Sequence, residues 1–105
     1  MGIKPPRGDV EAHVLEVAYW VGEGSWGKGV ATQALRAYVG WLFETFPKVT
    51  RLEGMVFEGN VGSVRVLERV GFVLEGTRRK AAVKNGVVMD VLHFGLLKEE
   101  WGVLN

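Results

Sequence analysis

Gly22 and the pair Gly27-Lys28, with four residues between them, come close to spelling the phosphate-binding loop of nucleoside triphosphatases. That loop needs a Ser or Thr hydroxyl directly after the lysine to hold magnesium beside the phosphates. Gly29 stands there instead. Val87 to Asp90 could imitate the apolar strand that ends in a magnesium-binding aspartate, but it falls within a terminal hairpin, the wrong context. A dinucleotide fingerprint also fails, because Gly27-x-Gly29 lacks its third glycine and no acidic residue is suitably placed. The physical device survives both rejections. A strand ends, glycines let the backbone approach closely, and a helix begins. Its first N–H groups lack intrahelical partners and carry the positive end of the helix dipole, so an anion fits without a side-chain charge. The alternative is a glycine-rich strand-to-helix turn with no ligand.

The elements around this loop are read from periodicity and punctuation. Ala12 to Val21 is rich in β-branched and aromatic residues and predicts a strand. Val14, Glu16, Ala18 and Trp20 share one face of it, and Leu15, Val17, Tyr19 and Val21 the other. From about Lys28 to Phe46, Ala31, Leu35, Tyr38, Leu42 and Phe46 recur at helical spacing until Pro47 stops the pattern. Val49 to Glu58 predicts a second strand, with Gly54 marking a bulge or a close approach. Asn60 suits the N-cap of a helix over Val61 to Val70, striped by Val64, Leu67 and Val70, and Gly71 suits its C-cap. Two more strands follow, joined at Lys84-Asn85-Gly86, a strong hairpin signal. The first strand-helix-strand run implies a parallel pair and the last two strands an antiparallel hairpin. The expected fold is therefore a mixed α/β sheet with two main helices. Trp20, Tyr38, Trp41 and Trp101 read as packing residues.

Size and composition narrow the classes. The chain has 105 residues, enough for a single domain, 48% of them apolar and 24% charged. A formal net charge of +1 gives no strong field toward nucleic acid or membrane. The basic run Arg78 to Lys84 is the one local excess, read as a solvated strand or turn. The absence of cysteine excludes disulfides, thiolate metal sites and cysteine nucleophiles. His13 and His93, far apart in sequence, do not suggest a metal site. No apolar run reaches the length of a membrane span, and the first residues lack the apolar stretch of a signal peptide. A cytoplasmic or nuclear location is the default expectation, cytoplasmic being preferred.

Three motifs in order resemble the GNAT superfamily of acetyl-CoA-dependent N-acyltransferases, closest to its ribosomal-protein N-terminal acetyltransferase branch. Trp26-Gly27-Lys28-Gly29-Val30-Ala31, followed by Thr32, resembles the Gln/Arg-x-x-Gly-x-Gly/Ala loop, with Trp26 in place of the general Gln/Arg. Asn60 to Phe72 resembles the Asn-x-x-Ser helix ending in Gly-Phe. Phe72 to Gly76 and Asn85 to Trp101 resemble the closing hairpin. The resemblance runs from about Ala12 to Trp101. Family domains carry extra strands and two helices ahead of the strand ending at Val21, and here only a short segment precedes it. The expectation is a truncated domain with an unpaired sheet edge and uncovered apolar surface, met by a homodimer, with strand exchange as one geometry.

The resemblance implies a pair of splayed parallel strands, ending near Val21 and Glu58, with the pantetheine arm of coenzyme A between them. It implies backbone contacts to that arm from Tyr19, Trp20 and Val21, one N–H polarising the thioester carbonyl. Amides from Gly27 to Thr32 would take the diphosphate, and Lys28 either adds charge or is solvated. Glu16 is the candidate proton acceptor for the incoming ammonium; otherwise it is an exposed strand glutamate. Asn60 has two compatible roles, helix cap and ligand contact. Many family members place a tyrosine where Leu67 stands, which leaves Ser63 as the candidate to contact the sulfur region of the cofactor or to protonate the leaving thiolate, against simple first-turn capping. The expected function is acetyl transfer from acetyl-CoA to a primary amine, a protein N-terminus included, with no metal required. The alternatives are a coenzyme A-binding module without turnover and a dimerising fragment that lacks the acceptor site.

Overall fold

In the computed structural model, residues 3–4, 13–17 and 28–104 are described. They form β1 (Ile3–Lys4), β2 (Val14–Val17), α1 (Lys28–Thr45), β3 (Arg51–Phe57), α2 (Val61–Val70), β4 (Val73–Lys84), β5 (Val87–Leu97) and α3 (Lys98–Leu104). The strands join one sheet in the order β1-β2-β3-β5-β4. β2 and β3 run parallel, with Val14 opposite Arg51 and Val17 opposite Gly54, and α1 is the crossover between them. The remaining pairs are antiparallel.

Side-chain alternation divides the sheet into two faces. Leu15, Val17, Leu52, Gly54, Val56, Phe94 and Leu96 share the face that α1 and α2 cover. Val14, Glu16, Arg51, Glu53, Met55, Phe57, Val91, His93 and Gly95 lie on the far face. The core is built between the first face and the helices. α1 contributes Ala31, Leu35, Val39, Leu42 and Phe43, and α2 contributes Val66, Leu67 and Val70. Gly54 is a close approach and not a bulge, since β3 pairs continuously with β5. A β-carbon there would stand 3.3 Å from Leu67 Cδ2.

Local chemistry accounts for the element ends. Asn60 Oδ1 accepts the Ser63 N–H at 3.2 Å, an N-cap bond to the third helical residue. Gly71, at φ 117°, closes α2. Its N–H reaches Glu68 O and the Phe72 N–H reaches Leu67 O, the paired bonds of a Schellman motif. Asn85 and Gly86 both have positive φ, 51° and 78°, as the two-residue type I′ turn between β4 and β5 requires. At the amino edge of the parallel pair, His13 O accepts the N–H groups of Thr50 and Arg51, and Thr50 O accepts the Lys98 N–H at 2.8 Å.

Several expectations are corrected. Phe46 does not join the buried α1 stripe: the helix ends at Thr45, ahead of Pro47, and although the Phe46 N–H still donates to Leu42 O at 3.0 Å, its side chain is exposed and meets the Trp41 ring edge-on. Val39 and Phe43 fill the stripe instead. Trp41 is not a core residue; it is 51% exposed and stacks on Tyr38 with ring centroids 5.9 Å apart. Trp101 does pack against the core, beside Phe43, but from α3, where the closing hairpin was expected to continue. Glu100 Oε1 accepts the Leu97 N–H at 2.9 Å, half of a capping box that starts this helix. The outer edge of β2 is not bare, because β1 pairs with Val17 and Glu16. The expected continuation of β2 through Val21 lies outside the described residues, as does the turn at Pro5 and Pro6.

Gly54→Val should destabilise the fold by about 1–3 kcal/mol, the usual cost of overpacking, because Leu67 would have to give way. Urea denaturation of the two proteins checks this, with the midpoint falling and the slope unchanged.

Candidate active site

Connectivity brings the two helix starts to one edge of the sheet. β3 ends at Phe57 and α2 begins at Val61, so α2 opens at the carboxyl edge of β3. α1 ends at Thr45, shortly before β3 begins. At about 1.5 Å per residue its 18 residues span roughly 27 Å, which returns its start to that same carboxyl edge. Ligands of open α/β sheets bind in this position. Arg36 of α1 ties the helices together, donating through Nη2 to Arg69 O at 3.0 Å.

Of the residues expected to hold the diphosphate, Lys28, Gly29, Val30, Ala31 and Thr32 form the first turn of α1. Gly29 and Val30 are exposed, whereas Ala31 and Thr32 are buried. Among the described residues, a β-carbon at Gly29 would meet nothing within 4 Å. Tyr19, Trp20, Val21, Trp26 and Gly27 lie outside the described residues. Asn60 and Ser63 sit together at the start of α2. Ser63 is 3% exposed, and its Oγ has no hydrogen-bond partner among the described residues. A buried hydroxyl of this kind costs free energy unless something supplies a partner. A buried hydroxyl without a partner among the described residues and the first-turn amides of α1 are groups that would suit an extended, phosphate-bearing ligand.

Glu16 occupies the far face, on the other side of the sheet from Ser63, and is half-buried. Glu53 lies directly opposite it in the parallel register. This second carboxylate was missed, although alternation along Arg51-Leu52-Glu53 would have placed it on a face of its own with Arg51. Arg51 holds Glu53 through Nε at 3.1 Å and Nη2 at 3.0 Å. It also holds Glu75 of β4 through both Nη atoms. The cluster fits because Gly95 leaves room: a β-carbon there would lie 2.7 Å from Arg51 Nη1. The hydrogen bonds from Arg51 hold the Glu75 carboxyl below the usual range against the opposing effect of burial, and those to Glu75 raise Arg51. His93 shares this face, and its Nε2 is buried with no hydrogen-bond partner among the described residues. No group of three potential metal-ligating residues occurs among the described residues, and none of their helices is long and apolar enough to cross a membrane.

Comparison with known proteins agrees with this geometry. A family pattern described as "Acetyltransferase (GNAT) domain" matches residues 1–73. The Bacillus subtilis protein named "Putative ribosomal N-acetyltransferase YdaF" is 36% identical over 82% of this chain and 46% of its own length. The crystal structure of a probable acetyltransferase, 35% identical, superposes with a TM-score of 0.74 over 85% of this chain and 50% of that one. RimL, a ribosomal L7/L12 α-N-protein acetyltransferase solved in complex with coenzyme A, is 26% identical with a TM-score of 0.71, covering 81% of this chain and 48% of its own. The chain belongs to the GNAT acetyltransferase family. It spans about half the length of the curated relatives it matches.

The Arg51–Glu75 contact makes stability pH-dependent with a defined sign. Glu75 is lowered on folding, so its contribution is present above the unfolded value of about 4.3 and fades as pH falls through the lower folded value. Wild type should exceed Glu75→Gln in urea stability at neutral pH and lose that margin in acid. The margin should stay under about 1 kcal/mol because Glu75 is 42% exposed.

Proposed function

We propose that this chain is the cofactor-binding and catalytic part of an acetyl-CoA-dependent N-acetyltransferase that acts on a primary amine, with protein N-termini as the acceptor class. The observation that carries the reading is Ser63: a buried hydroxyl with no partner among the described residues, at the helix start beside the carboxyl edge of the parallel pair. Relatives named as N-acetyltransferases and a neighbour solved with coenzyme A support it.

Bound acetyl-CoA would supply an acetyl group activated as a thioester. The backbone N–H groups from Gly27 to Thr32 would hold the diphosphate, with the dipole of α1 behind them. Trp26 precedes this run, and Lys28 within it would add charge. Backbone groups of Tyr19, Trp20 and Val21 would align the pantetheine arm, and Asn60 would contact it while capping α2. Glu16 takes a proton from the acceptor ammonium on the far face. Amine attack on the thioester carbonyl would form the amide bond as the carbon–sulfur bond breaks, and Ser63 Oγ would relay the nitrogen's second proton, giving its own to the departing sulfur as it takes that one up. The sheet thus separates the acceptor side from the cofactor side, and the two meet where β3 runs on past Gly54 beyond its described pairing with β2. A coenzyme A-binding module without turnover is the alternative reading.

A cytoplasmic homodimer belongs to this proposal. Exposed Val73, Leu74, Val83, Val87 and Val88 line the β4–β5 hairpin and suit contact with a second copy. Light scattering should give twice the chain mass at micromolar concentration, and a monomer throughout would remove the dimer.

Calorimetric titration should show acetyl-CoA binding, with a matching rise in Tm. Ser63→Ala and Glu16→Gln should keep that binding yet lower peptide acetylation by about 100-fold or more, the scale of lost acid–base catalysis. Binding without transfer by wild type, across a panel of peptides and polyamines, would identify a module without turnover.

A further inference from the structure

The basic run that sequence reading left as a solvated strand has an unusual backbone. Arg78 pairs with Val91 and Ala82 with Met89, so Arg79, Lys80 and Ala81 stand opposite Asp90 alone. Lys80 takes a left-handed conformation, φ 52°, rare for a residue with a β-carbon. Its N–H is fixed by Asp90 Oδ1 at 2.8 Å. The Asp90 N–H in turn donates to Glu58 Oε1 at 2.7 Å, and the Glu58 N–H to Asp90 O at 3.0 Å. Two residues on, Asn60 caps α2. The bulge is therefore tethered to the edge of the sheet where the transfer chemistry is placed. The side chains of Arg78, Arg79 and Lys80 are exposed and make no hydrogen bond or ion pair among the described residues.

Register puts Arg78 on the far face, the same face as Glu16. Three strand spacings of about 4.8 Å and four residues of about 3.3 Å separate the two, roughly 20 Å between α-carbons. Met55, Phe57 and Val91 lie on this face between them. An extended acceptor with its amine at Glu16 covers that distance in about six residues at roughly 3.4 Å each. The reach of the arginine side chains brings the contact back to about the third to sixth residue. From this we infer that the Arg78–Ala81 bulge is an acceptor-selecting element that binds carboxylates downstream of the amino group in an acidic N-terminal peptide. The inference rests on the acetyltransferase reading. A polyamine or free amino acid is too short or of the wrong charge to use it. A nucleic acid strand would bring phosphates against Glu58 and Asp90 as well as the cations, whereas a chain with an ammonium at one end and carboxylates further on matches both signs.

Edge protection is the rival explanation, because cations and bulges also deter unwanted strand pairing. The test uses the full chain with saturating coenzyme A and a short peptide carrying a C-terminal fluorophore, its free amino terminus followed by aspartates and glutamates at the third to sixth positions. Fluorescence anisotropy at low salt should show this peptide binding about tenfold more tightly than its Asn/Gln counterpart, as two or three exposed charge pairs would allow. Arg78→Gln/Arg79→Gln should abolish that preference and leave the coenzyme A Kd from calorimetry unchanged. Equal binding of both peptides, or an acidic preference that survives the double variant, overturns the proposal. So does aggregation of the variant with the preference intact, which marks edge protection, or tighter binding of single-stranded oligonucleotide than of peptide. A variant that loses discrimination between coenzyme A and dephospho-coenzyme A would assign the cations to the cofactor instead. The two readings separate cleanly: no coenzyme A binding by wild type sinks both, whereas coenzyme A binding with a peptide indifferent to the arginines sinks only this one.

Discussion

The seating of Leu67 against the bare backbone of Gly54 sets the position of everything at the site. A helix cannot come this near a strand across a side chain, so the missing β-carbon decides how low α2 rides on β3. Val66 and Val70 then bury beside Leu67. With α2 at that height, Asn60 and Ser63 are held at the carboxyl edge, and the Ser63 hydroxyl is sealed from water. Leu67 also stands where many family members have a tyrosine, and its role here is packing.

Two faces of one thin sheet carry the polar residues, and they differ in kind. On the helix side the polar groups are few, buried and local: the Asn60 cap and the Ser63 hydroxyl. On the far face they are ionic and span strands, with Arg51 drawing Glu53 and Glu75 together over the space left by Gly95. That cluster fixes the Glu53 carboxylate beside Glu16 and leaves Glu53 committed to Arg51. Of the two neighbouring carboxylates, Glu16 is the one that the proposed chemistry uses.

The parts of the fold legible in the sequence were those set by local chemistry. Asn60 and Gly71 bound α2 because a side-chain cap and a left-handed residue act within one turn. Asn85-Gly86 made the hairpin because two successive positive φ angles have few other solutions. The rest depended on partners distant in sequence. The α1 stripe drifted by one position, since Val39 and Phe43 are selected by the sheet beneath them and not by spacing alone. α3 went unread because Leu97 is no ordinary cap residue; the cap comes from Glu100 reaching back. The extra residues in β4 are visible only against β5. Within the candidate site, Asn60, Ser63 and the Lys28–Thr32 turn were found from motif and cap, whereas Glu53 and the ion cluster were not, because cross-strand neighbours are set by register.

Thr50 is stitched on both sides, to His13 through its N–H and to Lys98 through its carbonyl. These bonds clamp the rim of the sheet farthest from the helix starts and tie β2, β3 and the end of β5 at one level. The ladder carries this tie onward from Val14 opposite Arg51 to Val17 opposite Gly54. Beyond Gly54, β3 continues to Phe57 and leans on β5 alone among the described pairings. One strand is thus gripped from both flanks over its first half and from a single flank over its second.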